Sequence, residues 1–168
     1  MATKRIIMRI VVHRFSVASN NLFHEVVSRL EAAIGRPDMS VFRRDVASAK
    51  TYPELEKVVH GAIGPSGLME FSRIDMAEVM RGDLAPGAPR SLRLTAGNPL
   101  IIKRMVEHDP DAGSYAPVTI LIDERPDGVH LSYDTMASFL ASYGSPEAMK
   151  VAQDMDSKVE ALLTAAAS

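Results

Sequence analysis

The chain of 168 residues contains no cysteine, which excludes disulfides, thiolate metal sites, iron–sulfur clusters and thiol nucleophiles together. A reducing compartment suits such a chain, and cytoplasmic placement is the expectation. No apolar run approaches the ~20 residues needed to span a bilayer. The opening MATKRIIMRIVVHRF interrupts its apolar stretch with Arg9, His13 and Arg14 and has no small-residue cleavage site, so it reads as a strand rather than a signal peptide. Charge of one sign is also lacking: 19 Lys and Arg stand against 21 Asp and Glu, a net −2. With no basic stretch to neutralise a row of phosphates, nucleic acid is not an expected partner. Neither a Gly-x-Ser-x-Gly elbow nor a Gly-rich mononucleotide loop is present. The five histidines, His13, His24, His60, His108 and His130, lack metal-site spacing, so no metal is expected.

What is present is the pattern of one ordinary globular domain, with 46% hydrophobic and 24% charged residues. We expect one domain over 1–168, with a core over 5–143 and a helix over 146–165 docked on it. Arg5 to Phe15 alternates at two residues and predicts a strand. Ser19 or Asn20 is the expected cap of a helix carrying Leu22, Phe23, Val26, Val27, Leu30, Ala33 and Ile34, ended by Gly35 and Pro37. Asp38 to Lys50 reads as a loop or a short irregular helix. Thr51-Tyr52-Pro53-Glu54 fits a capping box and opens a helix stopped by Gly64-Pro65. LMEFSRI from Leu68 reads as a short strand, MAEVMR as a weak helix and GDLAPGAP as a loop. Ser91 to Ala96 predicts a strand and Pro99 to His108 a helix capped by Asn98. Pro117–Asp123 and Val129–Asp134 form a hairpin around Glu124-Arg125-Pro126-Asp127-Gly128. Thr135 to Tyr143 reads as a short helix, and Ser145-Pro146 starts a last one with Ala148, Ala152, Met155, Val159 and Leu162 on one stripe.

This order does not alternate as a doubly wound parallel sheet would. It predicts an α+β fold, a two-layer sandwich of a mixed, mainly antiparallel sheet with helices over one face. Arg9, His13, Arg93, Thr95, Thr119, His130 and Ser132 would then share the other face with Ile7, Val11 and Leu121.

Spaced motifs carry a resemblance over most of the chain. Gly64-Pro65-Ser66-Gly67-Leu68-Met69 with Ile74-Asp75, Gly97-Asn98-Pro99-Leu100-Ile101, Met105, His108-Asp109-Pro110, Tyr115-Ala116-Pro117, Tyr133-Asp134 and a final helix with Asp156, Lys158, Leu162 and Leu163 are similar to a long bacterial subgroup of the domain of unknown function 302 family. The resemblance implies a compact α+β domain, a homodimer, and no assigned reaction. The chain departs from the subgroup at Met76, where relatives often carry His, and at Met136-Ala137-Ser138, where they often carry Pro-Ser after Tyr-Asp.

Gly97-Asn98-Pro99 brings free backbone N–H groups and the positive end of a helix dipole to one point, as an anion site requires. Asn98 can equally be an ordinary cap, with Lys103 and Arg104 facing solvent. Tyr133 and Asp75, at strand ends, join this loop as ligand-contact candidates, although such groups ordinarily cap turns. His13 and His130 are the acid–base candidates, because both are placed on strands on the uncovered face. The expected function is binding of a small anionic molecule by a homodimer, with no cofactor identified. The alternatives are an enzyme using one of these His residues and a non-catalytic dimerisation module.

Overall fold

The computed structural model describes residue 3, residues 5–79 and residues 87–168. Most of the predicted loop GDLAPGAP therefore lies outside the described residues. Five strands form one sheet: β1 (Arg14–Ser19), β2 (Met69–Asp75), β3 (Ser91–Gly97), β4 (Val118–Arg125) and β5 (Gly128–Asp134). Their order is β1-β5-β4-β3-β2 and all four pairings are antiparallel. Around them lie α1 (Phe23–Ala33), α2 (Met39–Ser48), α3 (Tyr52–Ala62), α4 (Met76–Val79), α5 (Pro99–His108), α6 (Met136–Leu140) and α7 (Pro146–Ala167). The fold is the α+β sandwich that the element order predicts. No helix among the described residues is long and apolar enough to cross a membrane.

The two-residue period of the strands separates the faces of the sheet. Leu92, Leu94, Ala96, Val118, Ile120, Ile122, Val129, Leu131 and Tyr133 are all buried and point to one side. Against them pack Val26 and Leu30 of α1, Ile101 and Met105 of α5, and the stripe Ala148, Ala152, Met155, Val159 and Leu162 of α7. A smaller cluster joins Phe42, Val59, Ala62 and Met69 beneath α2 and α3. The hairpin turn needs its glycine, because Gly128 has φ +133° and a Cβ there would stand 2.5 Å from the Ser19 carbonyl oxygen.

Three boundaries differ from expectation, each for a local reason. The first strand is Arg14–Ser19 instead of Arg5–Phe15, since β5 offers partners only down to Arg14, which pairs with Asp134. Residues 5–13 alternate correctly but have no neighbouring strand and form no regular structure. Neither Ser19 nor Asn20 caps α1; Ser19 ends β1 and its hydroxyl donates to the Ala167 carbonyl, while the Glu25 carboxylate accepts the Leu22 N–H at 3.0 Å. The segment after Pro37 is a regular helix, because Asp38 accepts the N–H groups of Ser40 (2.8 Å) and Val41 (3.0 Å) and Phe42 enters the core.

Met155 has no exposed surface and lies where α7 crosses the sheet, so Met155→Ala should lose about 2–5 kcal/mol in urea unfolding. A loss under about 0.5 kcal/mol, the size expected at exposed positions, would place α7 outside the core.

Candidate functional site

Strand register builds the uncovered face of the sheet in ranks. In the central rank Ser16 stands opposite Ser132, Ser132 opposite Leu121, Leu121 opposite Arg93 and Arg93 opposite Ile74. On one side of it lie the pairs Arg14–Asp134 and Thr119–Thr95; on the other, Ala18–His130–Asp123–Ser91. Of the apolar residues expected there, Leu121 is on this face, whereas Ile7 and Val11 precede β1. Arg9 and His13 are off the sheet for the same reason.

A pocket of about 380 Å³ opens on this face, and Arg93, Thr119, Ser132 and Asp134 contribute to its wall. Two aromatic rings close one side: Tyr115 and Phe139 stack with centroids 4.5 Å apart and planes 9° from parallel. Tyr115 reaches this position at the end of the turn Pro110–Ser114, and Phe139 projects from α6. The Tyr115 and Tyr143 hydroxyls lie 2.5 Å apart, and that hydrogen bond is the main reason the Tyr143 phenol is pushed up to about 12.

The two guanidinium groups at this pocket differ in their neighbours. Arg14 makes a two-pronged pair with Asp134, at 2.7 and 3.0 Å, which raises its pKa further and cancels its charge locally. Arg93 forms no ion pair with any described residue; its nearest polar contact is the Thr119 hydroxyl at 3.4 Å. Strand position placed Arg93, Thr119 and Ser132 on this face from sequence. Their convergence with Tyr115 and Phe139 was not readable, because it depends on how the turn at 110–114 and α6 pack beside β4 and β5.

The residues proposed from sequence do not come together. Asn98 caps α5, accepting the N–H groups of Leu100 (2.9 Å) and Ile101 (3.4 Å), and its amide also donates to the Gly67 carbonyl at 2.8 Å. That side chain is buried and occupies the N–H groups an anion would use. Gly97 is packed too, since a Cβ would stand 3.0 Å from the Ile102 side chain and 3.5 Å from Pro117. Pro99 fills the first turn of α5. Asp75 caps α4, accepting from Ala77 (2.8 Å) and Glu78 (3.3 Å). Tyr133 borders the pocket, but its ring is buried and its hydroxyl points inward to the Asp156 carboxylate at 3.2 Å. Burial, before the nearby carboxylates, raises the Tyr133 phenol far above its ordinary range.

His130 is on the uncovered face as expected, bonded to Asp127 at 2.9 Å, but it does not border this pocket. His13 is exposed and held by its backbone, its N–H donating to the Ser138 hydroxyl at 3.0 Å and its carbonyl accepting from Thr135 at 2.9 Å. Five residues of strand separate His13 from Ala18, the partner of His130, or roughly 16 Å at the ordinary strand rise. Among the described residues, no group of three His, Asp or Glu is placed to hold a metal ion.

The family model for the domain of unknown function DUF302 matches residues 44–166, a stretch that contains Arg93, Tyr115, Thr119, Ser132, Asp134 and Phe139 of the pocket but not Arg14. The chain is similar to the crystal structure of an uncharacterized conserved DUF302 protein from Bacillus stearothermophilus, with a TM-score of 0.64 at 12% identity. That likeness covers 91% of this chain and 97% of the other, and at this identity it speaks to the fold. No curated protein matches the chain.

Asn98→Ala should destabilise the chain by about 1–3 kcal/mol, since it removes a cap and leaves the Gly67 carbonyl without its donor. The anion response of the melting temperature should be unchanged in that variant. An anion effect that disappears with Asn98 while the variant stays folded would return the binding site to the start of α5.

Proposed function

We propose that this chain, which belongs to the DUF302 family, binds a small anionic molecule in the pocket on the uncovered sheet face, with Arg93 as its charge anchor. The observation that carries this reading is the guanidinium of Arg93, which meets no carboxylate among the described residues. A fixed planar cation suits a carboxylate or a phosphate by two parallel hydrogen bonds. The Thr119 and Ser132 hydroxyls supply further donors, and the Tyr115–Phe139 stack supplies an apolar wall for the body of the ligand. Asp134 does not oppose an anion strongly because Arg14 neutralises it.

Binding is favoured over acid–base catalysis by the position of the histidines. His130 faces Asp127 outside the pocket and His13 stands beyond the end of β1. The polar and charged composition of this face likewise favours a ligand over a flat apolar dimer interface.

Inorganic phosphate and citrate should each raise the melting temperature above that in chloride at equal ionic strength. A ligand tenfold above its dissociation constant stabilises by about 1.4 kcal/mol, a shift of roughly 3–5 °C for a chain of this size. Arg93→Gln should abolish the anion-specific part while folding normally, since the side chain is exposed. An equal anion effect in wild type and Arg93→Gln would refute the site.

A further inference from the structure

The first 24 residues hold four cations, Lys4, Arg5, Arg9 and Arg14, and no Asp or Glu, whereas the remainder sets 15 Lys and Arg against 21 Asp and Glu, a net −6. The same stretch presents apolar surface to water. Five of the ten exposed large apolar side chains among the described residues, Ile6, Ile7, Met8, Val11 and Val12, fall within seven consecutive positions. Ile7 is 81% exposed and Ile6 71%. Residues 5–12 form no regular structure, and Arg5 and Arg9 make no ion pair with any described residue, while Arg14 is taken by Asp134. Apolar side chains standing in water beside uncompensated cations match the two components of an anionic lipid surface, its acyl boundary and its negative headgroups. We propose that residues 5–12 dock this chain on an anionic lipid surface, lying in the headgroup layer as a short amphipathic helix.

The spacing of the segment separates the two kinds of side chain. On a helix Arg5 and Arg9 fall about 40° apart on one stripe, and Ile7, Ile10 and Val11 fall within about 100° of one another on the opposite side. A helix is the suitable form because a backbone leaving water needs its N–H and C=O groups paired within the segment, and a strand here has no partner on β5 beyond Arg14. An acidic peptide would neutralise the cations but leave the apolar stripe in water, so a lipid surface answers both features. The segment pivots at His13, whose N–H and carbonyl are tied to Ser138 and Thr135. Docking therefore leaves β1 in register with β5 and draws on neither Arg14 nor the pocket, so the inference does not rest on the ligand reading.

The whole chain should sediment with vesicles of equal parts phosphatidylserine and phosphatidylcholine in about 0.1 M salt, and come off in about 0.5 M salt as the charges are screened. It should stay in solution with phosphatidylcholine alone. Arg5→Gln and Arg9→Gln should each weaken partition about fivefold, the factor that corresponds to about 1 kcal/mol per cation at an anionic leaflet. Ile7→Gln combined with Val11→Gln should abolish sedimentation at an unchanged melting temperature, since both side chains are exposed. The chain has no tryptophan, so Ile7→Trp supplies a single probe whose emission should move to shorter wavelength on the anionic vesicles. Ile6→Trp, nearer the cationic stripe, should move less. A chain that does not sediment with the anionic vesicles, that sediments equally with phosphatidylcholine, or that keeps its affinity when Arg5→Gln and Arg9→Gln are combined would overturn the proposal. A larger shift for Ile6→Trp than for Ile7→Trp would overturn the helical docking.

Discussion

A carboxylate removed from water in the middle of α7 ties the short helix α6 and the end of β5 to that helix. Asp156 is buried on α7 and accepts the N–H groups of Met136 at 2.7 Å and Ala137 at 2.9 Å, together with the Tyr133 hydroxyl at 3.2 Å. Burial raises its pKa, and the two backbone donors pull against that rise. Two of the donors at the start of α6 are thereby satisfied by a side chain from another element, as a five-residue helix without a capping side chain of its own requires. From α6 the effect spreads in two directions. Phe139 stacks on Tyr115 and becomes a wall of the pocket, while the Ser138 hydroxyl accepts the His13 N–H and sets where the leading segment leaves the sheet.

The sheet divides the remaining chemistry by parity. Alternate residues of β3, β4 and β5 enter a core closed by α1, α5 and α7, so the intervening residues are committed to the opposite face. No helix of the described residues covers that face where the pocket opens. Among the described residues Arg14 pairs with Asp134 and Arg125 with Asp123 at 2.6 Å, and His130 is hydrogen-bonded to Asp127, whereas the Arg93 guanidinium beside the pocket pairs with no carboxylate. An unpaired cation next to hydroxyls and an aromatic wall is the physical basis for reading the pocket as an anion site.

Local patterns in the sequence made much of this fold legible. Asn98 followed by Pro99, Thr51 before Pro53 and Ser145 before Pro146 each mark a helix start that the structure keeps, because a cap needs only its own first turn. The period-two runs of β3, β4 and β5 were equally plain. The extent of β1 was not, since alternation specifies a strand but says nothing of how far its partner runs. Asp38 was a readable cap obscured by Pro37, which also suits a helix stop. The Gly97-Asn98-Pro99 loop shows the limit for function: sequence placed a helix start there, but the Gly67 carbonyl that engages the Asn98 amide lies thirty-one residues away. Likewise Asp75 and Tyr133 were found at strand ends, where one caps a turn and the other turns its hydroxyl to Asp156. Arg93, Tyr115 and Phe139 meet only through tertiary packing, so no spacing in the sequence announces them.

Hydrogen exchange of backbone amides in Asp156→Ala tests the central role of that carboxylate most directly. Loss of the acceptor leaves the Met136 and Ala137 N–H groups unpaired in the interior, at about 1–3 kcal/mol each. Exchange should therefore accelerate across Met136–Leu140 and at His13, with the amides of β3 and β4 keeping their protection. Unchanged protection of α6 and His13 in the folded variant, or a loss spread evenly over the sheet, would contradict the account.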